Sequence, residues 1–340
     1  MYIDFRSDTV TKPTPEMRQA MFDAPVGDDV FSEDPTVNLL QEKAAEMFGM
    51  EAAIFCASGT QTNQVAINVH VNPGGEVICH EESHIYKYEG GGIAKNSGAS
   101  VRLLQGNRGR ISAEQIALWI NNREDIHLPL TELISLEDTA NRGGGAIYDF
   151  EEIKKIRRFA LEQHLPLHLD GARLFNALVE NEIPVKEYAA QFDSISICLS
   201  KGLGAPVGSL LLGKKDFVHK ARRVRKVLGG GMRQAGFLAA AGIYALENNV
   251  DRLKEDHRNA KQLESALLGQ SWISDVIPVE TNIVVGILQD ATKRDEIIHQ
   301  FREHGILIMA FGHGMIRMVT HLDVSQSDVE KTCEIIGKIK

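Results

Sequence analysis

Two stretches decide the fold: LPLHLDGARLFNA, residues 165–177, and ISICLSKGLGAPVGSLLLG, residues 195–213. Each opens on a short apolar run that ends at a charged side chain among small residues, Asp170 in the first and Lys201 in the second. A strand buried on both faces reads as such a continuous run, not as an alternating one. Working outward, AAIFCAS (52–58), EVICH (76–80), SVRLLQ (100–105) and LTELISLE (130–137) have the same character, and segments of helical spacing separate them. That alternation predicts an α/β fold of three layers, a mostly parallel central sheet with helices on both faces.

Beyond the glycines at 229–231 the pattern changes. A long alanine-rich, then charged, stretch from about Gln234 to Leu268 reads as a linking helix. ETNIVVGIL (280–288), RDEIIHQFREHG (294–305), MIRMVTH (315–321) and SQSDVEKTCEIIGKI (325–339) then read as a small α+β unit of strands and two helices. The predicted division is an amino-terminal arm (1–13), a large domain (14–245) and a small carboxyl-terminal domain (246–340).

Composition excludes several classes of function. With 340 residues, 43% of them hydrophobic, the chain can bury a large core. Lys and Arg total 37 against 46 Asp and Glu, a net charge of -9, which argues against nucleic acid or an anionic membrane as partner. Cys56, Cys79, Cys198 and Cys333 show neither a disulfide framework nor zinc spacing, and the first three lie in apolar runs where thiols act as small hydrophobes. No segment reaches the roughly 20 apolar residues that span a bilayer, and MYIDFRSDTVT has no apolar signal core, so a cytoplasmic location is expected.

Five constellations could carry chemistry. Ser58-Gly59-Thr60-Gln61-Thr62 stands between a strand and a helix, where backbone N–H groups and the positive helix end suit a phosphate; the same residues are also ordinary helix caps. Asp170, at the carboxyl end of a buried strand, needs a cation, and either Arg173 or a protonated ring nitrogen of a ligand would serve. Lys201 ends an apolar strand and precedes Gly202, Gly204 and Gly208; partial desolvation there favours the free amine that attacks a carbonyl, although a strand-end lysine can simply snorkel. HEESHIYKYEGGG (80–92) carries His80, His84, Tyr86 and Tyr88, rings able to stack on a flat heterocycle; two histidines four apart also suggest a metal, without a third ligand at a recognisable spacing. Among the arginines, Arg233 follows three glycines and Arg317 lies inside an apolar run, so both call for an anion, whereas Arg222, Arg223, Arg225 and Lys226 read mostly as a solvated helix face.

Their order along the chain resembles that of fold-type I pyridoxal-5'-phosphate (PLP) enzymes of the aspartate aminotransferase superfamily. More narrowly, DFRSDTVTKPT (4–14), GDDVFSEDPTVNLLQEKAAEMFG (27–49), ASGTQTNQ (57–64), HLDGARLFNA (168–177), ICLSKGLGAPVGS (197–209) and LGGGMRQAG (228–236) resemble the L-threonine aldolases of low specificity, over essentially the whole chain. The resemblance implies a three-layer PLP-dependent transferase-like fold and PLP as cofactor. Lys201 matches the lysine that holds PLP, Asp170 the partner of its ring nitrogen and His84 the imidazole stacked on the ring. Gly59 and Thr60 match the phosphate turn, and Arg233 a phosphate-binding arginine. Ser7, Arg173 and Arg317 match the group that holds the substrate carboxylate, Arg173 also touching the cofactor's phenolic oxygen. His127, in EDIHLP (124–129), matches a second active-site histidine. With His84 it is a candidate for taking the proton of the substrate's β-hydroxyl, as is a water held by the two; no metal is implied.

The implied reaction is reversible retro-aldol cleavage of threonine or allo-threonine to glycine and acetaldehyde, in a homotetramer built as a dimer of dimers with shared sites. A β-eliminating lyase or an amino-acid racemase would keep the same lysine and aspartate, and a PLP-binding protein without turnover is a third reading. Two departures stand out. Phe31-Ser32 replaces the family's Tyr-Gly, and Glu137-Asp138-Thr139-Ala140-Asn141 replaces Glu-Asn-Thr-His-Asn, so that a phenol and an imidazole are missing.

Overall fold

A computed structural model describes residues 2–339. All seven apolar runs form strands of one sheet: β1 (Ala52–Cys56), β2 (Glu76–His80), β3 (Ser100–Leu104), β4 (Thr131–Glu137), β5 (Leu167–Gly171), β6 (Ser194–Cys198) and β7 (Ser209–Gly213). Their order is β1-β7-β6-β5-β4-β2-β3. All neighbours are parallel except β7, which runs antiparallel to both β1 and β6. β2, β5, β6 and β7 are buried at every position, as expected of strands covered on both faces. Ile54, Ile78, Ile134 and Leu169 are inaccessible to solvent, and truncating one of them to alanine costs about 2–5 kcal/mol.

The topology brings the turns that matter to one edge. The parallel strands end there at His80, Glu137, Gly171 and Cys198, and the pairing of β7 with Cys56 and Cys198 places Ser209 beside them. Ser58 caps the helix Gly59–His70 by accepting the Gln61 N–H at 3.2 Å. Gly59 is demanded by packing, since a Cβ there would stand 2.6 Å from the Cys198 Sγ. Gly208, beyond Lys201, has φ +119° and the Phe55 ring 2.5 Å from its missing Cβ, a conformation and a space that only glycine accepts.

The stretch predicted as one linking helix is two, Gly236–Asn248 and Leu253–Leu268, separated at Asn249–Arg252. A second, antiparallel sheet follows, ordered β10 (Met309–Ala310), β11 (Met315–Val319), β9 (Ile283–Leu288), β8 (Ile273–Ile277). Phe5 is buried in its core with Phe301, Ile316 and Met318. Ile3–Asp4 pairs in parallel with Ile306–Leu307, and the Val319 N–H donates to the Phe5 carbonyl at 2.8 Å. The amino-terminal segment is thus sewn to the second sheet before Thr11 Oγ1 donates to the Lys201 carbonyl at 3.0 Å. Among the described residues no helix is long and apolar enough to cross a membrane.

Candidate active site

Charged groups from separate stretches meet at the carboxyl edge of the central sheet. Asp170, closing β5, is buried; the Ala172 N–H donates to its Oδ1 at 3.2 Å and Asn63 Nδ2 to its Oδ2 at 2.9 Å. Of the two cations the sequence allows it, Arg173 is engaged elsewhere, forking Nε and Nη2 onto Asp8, each at 2.7 Å. No lysine or arginine among the described residues pairs with Asp170. A buried carboxylate left without a cation is costly, so a ligand bearing a protonated ring nitrogen fits this site. PLP is such a ligand, and its phosphate suits the helix start at Gly59 and the exposed Thr60, where first-turn N–H groups lack partners within the helix.

His84 opens the short helix His84–Lys87. Its N–H donates to Glu137 Oε2 at 2.7 Å and its ring Nδ1 lies 3.0 Å from Glu89 Oε1, so that Nε2 is left over for a ligand. Burial works to lower the imidazole's pKa, but the bond to Glu89 and the charge of Asp170 outweigh it and raise it. The buried Glu89 also accepts from Asn63 at 2.9 Å and Gln64 at 2.7 Å. Burial, reinforced by the charge of Asp170, pushes the Glu137 carboxyl up to about 7, against N–H donation from Asn141 and His84. Ligating atoms of His84, Glu89 and Asp170 lie within 4.8 Å of one another. Asn63 Nδ2 already donates to one oxygen of each of these carboxylates.

Asp8 receives the Arg173 fork and lies within the electrostatic reach of Lys201. Burial would raise that carboxyl, yet the Arg173 guanidinium, supported by Lys201 and Asn282, holds it down at about 2. Arg317, in the middle of β11, is also buried but meets no carboxylate among the described residues. Its Nη1 donates to Asn141 Oδ1 and its Nη2 to the Arg6 carbonyl, both at 3.1 Å, its guanidinium lies 5.2 Å from the Phe311 ring, and its Nε has no partner. Burial and then the like charge of Arg173 pull it down to about 10, which leaves it cationic at neutral pH. In the chain Ser7 stands between Arg6, whose carbonyl receives Arg317, and Asp8, whose carboxylate receives Arg173, and its Oγ accepts from the Thr9 N–H at 3.2 Å.

Two predicted residues are not brought into this cluster by one chain. Arg233 is 58% exposed and pairs with Asp28 at 2.7 Å. His127 is exposed in the loop before β4, its N–H on Asp125 Oδ1 at 3.0 Å. β4 separates it from Glu137 by its length, roughly 20 Å. The basic helix face also departs from expectation: Arg225 is buried, donating to Asp29 Oδ2 at 2.7 Å and to the Phe55 carbonyl at 2.6 Å. The site residues that sequence reasoning missed are Asp8, Asn63 and Glu89; Glu137 and Asn141 entered it only as members of the departing segment 137–141, without a role. Glu89, on the same short turn as His84, was the most detectable of them. Cys56 and Cys79 are buried with thiols pushed up to about 12, which fits their reading as small hydrophobes. Two open clefts of about 600 and 760 Å³ share Arg110, Tyr148 and Asp149 and contain none of the cluster's residues.

Residues 4–291 match the β-eliminating lyase family. Low specificity L-threonine aldolase of Escherichia coli is 44% identical over 328 residues, covering 96% of each chain. Low-specificity L-threonine aldolase 1 of Arabidopsis thaliana is 41% identical over 336 residues, 97% of this chain and 94% of that one. The solved threonine aldolase of Leishmania major, at 20% identity, superposes with a TM-score of 0.85 over 98% of both chains and shares the fold. The chain therefore belongs to the β-eliminating lyase family, in its low-specificity L-threonine aldolase branch.

Proposed function

We propose that this protein is a PLP-dependent aldehyde-lyase that reversibly cleaves L-threonine or L-allo-threonine to glycine and acetaldehyde. The observation that carries the reading is Arg317, a buried cation with an unpartnered Nε and no carboxylate among the described residues, in the electrostatic reach of Arg173 and Asp8. An amino-acid carboxylate supplies what it lacks.

Lys201 would be the point of attachment for the cofactor, Asp170 would serve as the partner of its ring nitrogen and His84 would support its ring. Gly59 and Thr60 would hold the phosphate, and Arg233, outside its own chain's cluster, would reach the phosphate in a neighbouring protomer's site. When bound, PLP supplies an electron sink for the pair left on Cα. Arg317 takes the substrate carboxylate with Ser7 beside it, and Arg173, closed onto Asp8, holds in place the segment that carries Ser7; that anchoring fixes which Cα bond is aligned for cleavage. His84 Nε2, directly or through a water, takes the β-hydroxyl proton as Cα–Cβ breaks. The arm of residues 1–13 delivers Ser7, the domain of 14–245 the cofactor residues, and the domain of 246–340 Arg317. His127, flanked by the 93% exposed Ile126, serves the site of a neighbouring protomer in a cytoplasmic homotetramer built as a dimer of dimers. Incubating the holoenzyme with threonine tests the reaction: equal amounts of glycine and acetaldehyde are expected. Ammonia with a 2-oxo acid would instead assign elimination, and D-allo-threonine, the product of inversion at Cα alone, racemisation.

A further inference from the structure

Four polar residues that the reaction does not use lie in one line beneath Asp170. Helix Gly59–His70 packs along β5 and β6 so that Asn63 meets Asp170 and His168, while His70, near the other end of the helix, meets Ser194. The distances are 3.2 Å from His168 Nε2 to Asn63 Oδ1, 2.8 Å from His168 Nδ1 to Ser194 Oγ, and 2.8 Å from Ser194 Oγ to His70 Nε2. Asn63, His168 and Ser194 are buried, and His70 lines a surface cleft of about 260 Å³ with Arg123, Glu132 and His164.

The proton positions follow from the ends inward. The Asn63 amide faces two carboxylates, Asp170 and Glu89, each 2.9 Å from Nδ2, and carboxylates only accept. Nδ2 must therefore point at them, and Oδ1 at His168. An oxygen there requires that His168 carry its proton on Nε2. Burial holds His168 neutral, its pKa down at about 3, so Nδ1 is a lone pair that accepts the Ser194 hydroxyl proton. That hydroxyl has no second hydrogen, so the His70 Nε2–H must donate to its oxygen.

We propose that His70, Ser194, His168 and Asn63 form a unidirectional hydrogen-bond chain in which every donor points toward Asp170, and that Asn63 and His168 are positioning residues which keep the proton on the cofactor's ring nitrogen. Each aligned bond polarises the next, so the last N–H on Asp170 Oδ2 is stronger than an isolated amide would give. A carboxylate so stabilised leaves the shared proton with the ring; one stripped of donors draws it away.

The inference rests on Asp170 facing the ring nitrogen. Its test is the 15N chemical shift of ring-labelled PLP in the holoenzyme, with thermal midpoints measured alongside. Asn63→Leu is expected to move the signal far toward unprotonated pyridine and to lower kcat about tenfold or more, the effect of losing one charge-assisted bond. Ser194→Ala, two links further away, is expected to move it the same way by less. Because Ser194→Ala removes one oxygen atom, it decides the matter even if Asn63→Leu does not fold. A wild-type signal in Ser194→Ala overturns the chain, whatever its thermal midpoint. Failure of the unmutated protein to take up PLP would instead overturn the cofactor reading beneath it.

Discussion

Arg173 and Arg317 are both buried arginines at the carboxyl edge of the sheet, and what answers their charge differs. Arg173 meets Asp8 in a two-pronged pair with both bonds at 2.7 Å. Arg317 is met by an amide oxygen, a carbonyl and an aromatic ring. A guanidinium with its own carboxylate belongs to the architecture, tying the amino-terminal segment to the main sheet. One held only by neutral acceptors has a place for an incoming carboxylate.

The largest effect should come from breaking the closed pair. Arg173→Leu strands Asp8 as a buried unpaired charge and is expected to cost about 3–5 kcal/mol, read as a lower denaturation midpoint, with partial recovery in Asp8→Asn/Arg173→Leu. A wild-type midpoint in the single variant would erase the distinction between the two arginines. Arg317→Leu should leave the midpoint intact and lower kcat/KM for threonine about a hundredfold, mostly through KM. An unchanged KM would show that the substrate carboxylate binds elsewhere.

Acid titration sharpens the same contrast. The Asp8 carboxyl is held at about 2, below its ordinary 3.8. Its contribution to stability is therefore complete above about pH 4 and is lost as pH falls through about 2. Asp8→Asn should flatten acid unfolding in that window, whereas Arg317→Leu should not. The smallest effect concerns His84, whose imidazole is raised above the ordinary 6.5. If its Nε2 takes the substrate proton, kcat/KM rises with pH along a limb above that value. Glu89→Gln removes the leading cause of the rise and leaves burial, so the limb should move to lower pH; an unmoved limb assigns it to another group.

How much of this was legible in the sequence depends on how local each signal is. Asp170 and Lys201 are single charges at the ends of apolar runs, and Arg317 is a charge inside one, so burial alone marked them. The strands were legible for the same reason. Asp8 with Arg173 and Asp29 with Arg225 are 165 and 196 residues apart, and nothing in either neighbourhood names its partner. Asn63 was invisible because an amide on a helix becomes informative only once Asp170, Glu89 and His168 surround it. Arg225 illustrates the converse: a cluster of four cations reads as a solvated face, but 3.6 residues per turn rotate one of them inward. The break at Asn249–Arg252 lacks a proline or glycine, the residues that usually punctuate a helix, and so escaped notice.

The most direct measurement is borohydride reduction of the PLP-loaded protein, followed by peptide mapping and assay of the same sample for threonine cleavage. Cofactor fixed on Lys201 alone is expected, together with loss of acetaldehyde and glycine formation on reduction and in Lys201→Ala. Cofactor fixed on a different lysine, or cleavage that survives in Lys201→Ala, would contradict the assignment of this site.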